Sequence, residues 1–365
     1  MTTLRSQPKD SPPRVRGFWR HPLWAPFNQP EHWNRLASKV NPLWSLTEPR
    51  ARVERVVEEA AGVQSLWLKP NACFGAFAPG QHVLLEVEID GARHARCFSV
   101  SSAPRRDGTL RLTIKRKDNG PVSHAAHALR PGTIVRLGKP LGAFAPRSAT
   151  GKLLLLSAGS GITPMMSILH ALADAGSTRD VTLLQCERSA SEALFATELA
   201  DLSSRLPNLR AHSHATAERG RLGAAGLARL VPDWADREVL LCGPDGFMQV
   251  IETMYADAGL SALVQSESFG RRAATVDPDA PTHAVVFWKI EQTFTVLAGQ
   301  NLLDGAEAAG LAPRFGCRRG ICRTCQCRKR SGTVMNLLTG QVSGPGEELI
   351  QLCISTPQSA IELAL

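Results

Sequence analysis

From about residue 51 the chain alternates apolar and polar positions in short runs. This period of two predicts strands over 52–58, 65–68, 82–89, 95–101 and 110–115. Turn residues stand between them at Asn71, Gly80, Gly91 and Gly108. Many short strands at such spacing predict an antiparallel barrel over 51–148. At Lys152 the pattern changes to a continuous apolar run, 152–157, a buried strand leading into a helix over 165–173. Further strands over 181–186, 209–213 and 239–242 alternate with helices near 191–204, 222–230 and 245–258. Alternation of this kind predicts an α/β domain with a parallel sheet over 149–270. A polar stretch, 271–282, reads as a linker. A hairpin over 283–290 and 293–296 follows, then a helix over 302–309 with Leu302, Leu303 and Ala306 on one face. The segment 283–365 is thus a separate α+β module, and the chain is multidomain.

The first 50 residues carry no such period. They are dense in proline and in Arg and Lys, and they hold Trp19, Trp24, Trp33 and Trp44, four of the seven tryptophans. A purely disordered tail would not hold so many aromatics. The expectation is a basic arm that packs its tryptophans on the body or offers them to a partner, and basic charge with Trp and Phe also suits a membrane interface.

Composition narrows the class. Hydrophobic residues make up 43% and charged residues 21%, as in a globular protein. The longest apolar runs are too short to span a bilayer, and the N-terminus shows no apolar signal core, so the expected location is the cytoplasm, with peripheral contact at the inner face of the membrane through the arm. A net charge of +9 favours an acidic partner or a membrane surface. With one tyrosine and no nucleic-acid motif, no nucleic acid is expected.

The densest chemistry lies in Gly316-Cys317-Arg318-Arg319-Gly320-Ile321-Cys322-Arg323-Thr324-Cys325, followed by Cys353. The spacing C-x4-C-x2-C with a distant fourth cysteine is that of plant-type [2Fe–2S] ligands. Two irons bridged by two sulfides need four thiolates. Zinc is the main rival, but structural zinc sites usually present two close pairs, and the lone Cys353 fits that poorly. A disulfide framework suits neither the crowding on one loop nor the absent signal. Cys327, two residues on, is read as a small strand residue pointing away.

Two stretches of the barrel suggest a flavin. In Arg96-Cys97-Phe98-Ser99, Arg can hold a phosphate, Phe can pack on the ring system, and the serine hydroxyl can reach the ring edge. Gly120-Pro121-Val122-Ser123 opens a short helix and offers backbone N–H groups to phosphate. Each alone is a weak mark. In the parallel sheet, Gly159-Ser160-Gly161-Ile162-Thr163-Pro164 and Leu241-Cys242-Gly243-Pro244 both fall at carboxyl ends of strands, where the fold rule puts a nucleotide. Tight turns with no ligand are the plain alternative.

These four stretches occur in one order and together resemble the ferredoxin–NADP reductase family, with a plant-type ferredoxin fused behind. The order flavin, nucleotide, ferredoxin is like that of phenylacetyl-CoA epoxidase and phthalate dioxygenase reductases. The resemblance covers about residues 50–365. It implies a flavin barrel, a pyridine-nucleotide domain and a β-grasp ferredoxin domain. It implies Arg96, Phe98 and Ser99 at the isoalloxazine and its phosphates, and Gly120, Val122 and Ser123 on the pyrophosphate. Gly159, Gly161, Thr163, Cys242 and Gly243 would surround the nicotinamide nucleotide, and Glu267-Ser268-Phe269 matches the segment whose aromatic shields the flavin face. Ser99, Cys242 and Phe269 are the implied catalytic residues, and Cys317, Cys322, Cys325 and Cys353 the metal ligands. Phe98 stands where the family usually has Tyr. The cofactors implied are FAD, with FMN open, a [2Fe–2S] cluster, and NADPH or NADH. Arg188, after the second parallel strand, favours the 2′-phosphate of NADPH, whereas Glu187 beside it suits the ribose diol of NADH.

The arm's Asn41-Pro42-Leu43-Trp44-Ser45 is similar to reductases that serve membrane acyl-CoA or fatty-acid desaturases. The expected function is therefore an NAD(P)H-dependent reductase passing electrons to such a desaturase. The alternatives are a reductase for a soluble ring-hydroxylating or other oxygenase, and a non-catalytic iron–sulfur redox sensor or carrier. Arg314, Arg318, Arg319 and Arg323 beside the cluster loop would attract an acidic face of the partner.

Overall fold

A computed structural model describes residues 30–118, 120–269, 276–316, 318, 320 and 323–365. Trp19, Trp24, Cys317, Arg319 and Cys322 lie outside the described residues, as do residues 271–275 of the expected linker. Helix α1 (Pro30–Val40) precedes the first sheet. That sheet has strands β1 (Arg50–Ala60), β2 (Val63–Pro70), β3 (His82–Ile89), β4 (Ala92–Ser99), β5 (Leu110–Lys115) and β6 (Ile134–Leu137) in the order β4-β3-β6-β1-β2-β5, every pair antiparallel. A bridge between Val100 and Leu112 joins the two edges and closes the barrel. Alternate side chains fill it: Val53, Leu66, Leu68, Val83, Leu85, Leu110, Leu112 and Ile114 are fully buried. Helix α2 (Pro121–His127) plugs one end with Val122 and Ala126. Strand β6 has only four residues between two glycines, too short for its alternation to show in the sequence.

The second sheet is parallel throughout. It contains β7 (Leu153–Ala158), β8 (Val181–Glu187), β9 (Leu209–Ala215), β10 (Glu238–Cys242) and β11 (Val264–Glu267), ordered β11-β10-β7-β8-β9. Helices α3 (Ile162–Asp174), α4 (Ala196–Arg205), α5 (Thr216–Arg219), α6 (Ala224–Leu230) and α7 (Asp245–Asp257) connect the strands. The run Leu153 to Leu156 is apolar at every position because both faces are covered: Leu153 and Leu155 enter one core, Leu154 and Leu156 the other. The direction of winding reverses between β7 and β10, which sets a crevice at their carboxyl ends.

The third sheet is mixed. Strands β12 (Thr282–Phe287), β13 (Gln292–Leu297), β14 (Gln326–Ser331), β16 (Glu348–Gln351) and β18 (Ile361–Leu363) run in the order β13-β12-β18-β14-β16, and β15 (Val334–Asn336) pairs separately with β17 (Ser355–Pro357). Helix α8 (Leu302–Ala308) lies across it with Leu302, Leu303 and Ala306 buried, as its spacing predicts. A Cβ on Gly305 would come within 2.4 Å of Val296 Cγ2, so only glycine lets the helix approach this closely.

The modules are bolted together by buried polar groups. Arg111 of β5 donates to both carboxylate oxygens of Glu198 on α4, at 2.8 and 3.0 Å, and His170 of α3 bonds the same carboxylate. Ser167 on α3 donates to the Ser102 carbonyl at 2.8 Å. The described part of the arm is held to the body by polar contacts. Asn34 donates to Thr47 Oγ1 at 2.7 Å and accepts from the Leu46 N–H, while Asn71 donates to the Leu43 and Glu48 carbonyls. Trp33 and Trp44 remain 47% and 54% exposed, so about half of each residue is left for the second of the two expected roles, contact with a partner.

Candidate flavin, nucleotide and iron–sulfur sites

The flavin-type stretches converge. Arg96, Phe98 and Ser99 at the end of β4, Gly120, Val122 and Ser123 at α2, Thr163 at α3, and Phe269 after β11 line one cleft with an empty volume of about 760 Å³. Lys115 and Lys117, which the sequence reading did not single out, add positive charge to it. Phe98 and Phe269 are each half-buried against opposite cores, so the cleft has an aromatic on the barrel side and another on the nucleotide side. An apolar, positively charged crevice with backbone N–H groups at one end fits a flavin with its phosphates. Some expected polar groups are already engaged: Ser123 Oγ donates to the Gly120 carbonyl at 2.7 Å, and Thr163 Oγ1 donates to the Ser160 carbonyl at 2.9 Å.

Behind Ser99 lies a buried group that the sequence reading quoted without assigning a role. Ser99 Oγ donates to Glu267 Oε2 at 3.4 Å, and Glu267 Oε1 lies 3.0 Å from His82 Nδ1. The three residues are 2–4% exposed. Cys242, fully buried at the end of β10, is the register partner of Glu267. No spacing rule ties His82 to Glu267 across 185 residues, so His82 was not legible.

The two glycine turns interlock at the crevice. A Cβ on Gly161 would fall 2.1 Å from the Cys242 carbonyl oxygen, and one on Gly243 would meet Phe247 and Ala158 at 2.8 and 3.0 Å. Gly159 is different: its φ is +56°, and nothing lies within 4 Å of an added Cβ, so its backbone faces open space. A second cleft, of about 1130 Å³, opens there between Gly159, Arg188, Thr216, Arg221, Pro244 and Phe247. Glu187 also lines it, accepting a bond from Gln185 at 3.2 Å. Burial raises its carboxyl to about 7, only partly offset by Gln185 and Lys115. Lys115 lines both clefts, which therefore adjoin.

In the third module Cys325 and Cys353 are brought together from segments 28 residues apart, with their sulfurs 3.3 Å from each other. Two sulfurs on one tetrahedral metal, each about 2.3 Å from it, stand about 3.8 Å apart, so a small outward shift accommodates an iron. The Gly320 N–H points at Cys353 Sγ, 3.3 Å away, as the tight loop predicts. Cys327 sits in β14 within the core, its thiol pushed up to about 12 by burial and by Cys325. Of the loop arginines, Arg314 and Arg323 are exposed. Arg318 is not a free surface charge: it pairs with Glu307 and stacks on Phe315 at 3.7 Å.

Comparison with known proteins agrees with this division. Family models match residues 63–145 as an oxidoreductase FAD-binding domain, 155–253 as an oxidoreductase NAD-binding domain, and 286–358 as a 2Fe-2S iron-sulfur cluster binding domain. The first match speaks for FAD where the sequence left FMN open. An NADPH oxidoreductase of Mycobacterium tuberculosis is 34% identical over 97% of this chain and 96% of its own length. The ferredoxin reductase component of 3-ketosteroid-9-alpha-monooxygenase from the same species is 36% identical over 78% of this chain and 83% of its own. The structure of phthalate dioxygenase reductase superimposes with a TM-score of 0.58 over 87% of this chain and 97% of that one, at 22% identity, and shares the fold. None of these names speaks of a desaturase. Among the described residues no helix is long and apolar enough to cross a membrane. The chain belongs to the ferredoxin–NADP reductase type of FAD- and NAD(P)-binding oxidoreductases with a C-terminal [2Fe–2S] domain, and it is an NAD(P)H-dependent enzyme of that family.

Proposed function

We propose that the protein is the reductase component of a multicomponent oxygenase, taking electrons from NADPH and handing them singly to a monooxygenase partner. The observation that carries this reading is that the Cys325–Cys353 pair belongs to a module whose loop carbonyl, Gly316, accepts a bond from Arg96 of the flavin cleft. The names of the relatives support the choice of acceptor. Bound in these sites, the nucleotide supplies a hydride, the flavin splits it into two electrons and a proton, and the cluster carries one electron at a time.

The protein's own part is placement. Arg96, Lys115 and Lys117 hold phosphate charge in the first cleft. Phe98 and Phe269 exclude water from either side. Ser99 lines the flavin cleft, its hydroxyl oriented by the bond it donates to the buried Glu267 behind it. Gly159 lines the second cleft without crowding it, and Arg188, Arg221 and Thr216 there suit a 2′-phosphate.

A membrane desaturase is the second reading. Trp33, Leu36, Val40, Trp44 and Leu46 of the arm are exposed together. The relative matched over 97% of this chain leaves only about 11 of 365 residues unmatched, so most of the arm lies within that match.

The test is an anaerobic visible spectrum with EPR before and after NADPH, followed by turnover with a candidate oxygenase using the full chain and a 1–45 deletion. Flavin and cluster bands that bleach, with turnover indifferent to the deletion, are expected. Absence of flavin defeats the reading. Turnover that collapses on deletion, with loss of binding to vesicles, moves the assignment to the desaturase.

A further inference from the structure

We propose that Phe315, gripped between two arginines of different modules, docks the cluster loop on the flavin cleft and so sets the rate at which electrons pass from flavin to cluster. The inference rests on the reductase reading above.

The chain of contacts is continuous. Arg96 leaves β4 of the barrel, lines the flavin cleft, and donates from Nη1 to the Gly316 carbonyl at 2.9 Å. Its guanidinium stands 5.0 Å over the Phe315 ring. Arg318 stands 3.7 Å from the same ring. Arg318 is itself fixed: Nη1 bonds Glu307 Oε2 at 2.8 Å and lies 3.6 Å from Asp304 Oδ1, both on α8. The side chains of Arg318, Asp304 and Glu307 are largely buried, so these contacts are little screened. The backbone of Arg318 adopts φ +57°, a left-handed conformation that a non-glycine residue holds only when its surroundings over-determine it. Here the ring on one side and the two carboxylates on the other do so.

Gly316 immediately precedes the first expected cluster ligand, Cys317. The Arg96 bond thus ties the start of the cluster loop to a residue of the flavin cleft. A ring within reach of a guanidinium from each module is attracted to both. With flavin and cluster bound, Arg96 and Phe315 would hold the loop in place while the two electrons of each hydride passed singly to the cluster and on to the acceptor, the proton being released to solvent.

The experiment uses the full-length protein loaded with flavin and cluster, with Phe315→Ala and Phe315→Leu. Stopped-flow absorbance reads flavin reduction by NADPH and cluster reduction separately. EPR of the dithionite-reduced protein reads the cluster, and trypsin cleavage between the nucleotide and ferredoxin modules reads docking. The expected result is unchanged flavin reduction, cluster reduction slowed about tenfold or more in Phe315→Ala, an unchanged EPR signal, and faster cleavage. Phe315→Leu, which keeps bulk but loses the stacking, falls between. Cluster reduction and cleavage at parental rates in both variants overturn the proposal. So does an altered or missing EPR signal in both, which would assign Phe315 to the loop's own folding. Failure of NADPH to reduce the flavin in the parent removes the reading underneath and is seen before either variant is made.

Discussion

His82 Nδ1 lies 3.0 Å from Glu267 Oε1, joining β3 of the barrel to the last strand of the nucleotide sheet inside the protein. Removing one partner of a buried pair costs part of the compensation for the other's desolvation, and Glu267 would keep only its remaining contacts, the Ser99 bond among them. His82→Leu should lower the unfolding free energy by about 3 kcal/mol and slow flavin reduction by about tenfold, because Glu267 then loses its hold behind Ser99. His82→Gln, which can still donate, should recover most of both. Thermal melts and stopped-flow reduction by NADPH check this. Equal behaviour of the two variants would mean the ring only fills space.

Glu187 gives the nucleotide domain a pH dependence of definite sign. Its carboxyl ionises near 7 in the fold and near 4.5 when unfolded. The folded state therefore binds the extra proton between those values, and stability falls as pH rises from about 4.5 to about 7. Glu187→Gln should flatten that slope and add about 1–2 kcal/mol at pH 8, after allowing for partial exposure to solvent. Removing a carboxylate from the cleft should also tighten NADPH binding at pH 8. Denaturant melts across pH and nucleotide titration test both parts.

Glu198 behaves oppositely. Burial pushes its carboxyl up, but the bonds from His170 and Arg111 outweigh this and bring it down to about 2. Its contribution is present above about 4.5 and is lost as pH falls from there toward 2. Glu198→Gln should cost about 2 kcal/mol at pH 7, with the difference narrowing below pH 4.5. A constant difference across pH would show that charge is not the source.

Lys329 is fully buried, and its ammonium donates to the Gly332, Gly344 and Gly346 carbonyls at 2.7, 2.8 and 2.6 Å. Lys329→Met keeps the stem but removes the donor that the three carbonyls share, leaving Gly344 only its Ser343 bond. A loss of about 2–4 kcal/mol in the melting of the C-terminal module is expected, with faster amide exchange around 337–346.

The architecture was legible where a period was long or a run was continuous. Leu153 to Leu156 announced a strand buried on both faces, and Leu302, Leu303 and Ala306 announced the face of α8. Strands β6 and β11, four residues each, were missed because two alternations do not stand out from chance. Arg96, Phe98, Ser99, Gly120, Val122 and Ser123, which line one cleft, fall within short local motifs, whereas Lys115 and Lys117 of the same cleft carry no such mark. What joins distant segments was not. His82 with Glu267, Arg111 with Glu198, and Arg96 with Gly316 are pairs that only the packing of separate modules creates. The arm's anchorage was hidden for a related reason. Its tryptophans drew the eye, while Asn34 in α1 and Asn71 after β2, which make its polar contacts, carry no mark in the sequence.

The interlocked glycines have a bearing on recombination among relatives. The space that a side chain on Gly161 would need is taken by the Cys242 carbonyl, and that of Gly243 by Ala158 and Phe247. The two turns are a single joint written at two places in the gene. A chimera with its crossover anywhere between them marries a turn from one parent to a strand end shaped for another, and a shift of a few tenths of an ångström there opens or blocks the crevice between β7 and β10. Crossovers after β11 leave the joint intact, so exchanging whole ferredoxin modules asks less of the scaffold than exchanging halves of the nucleotide domain.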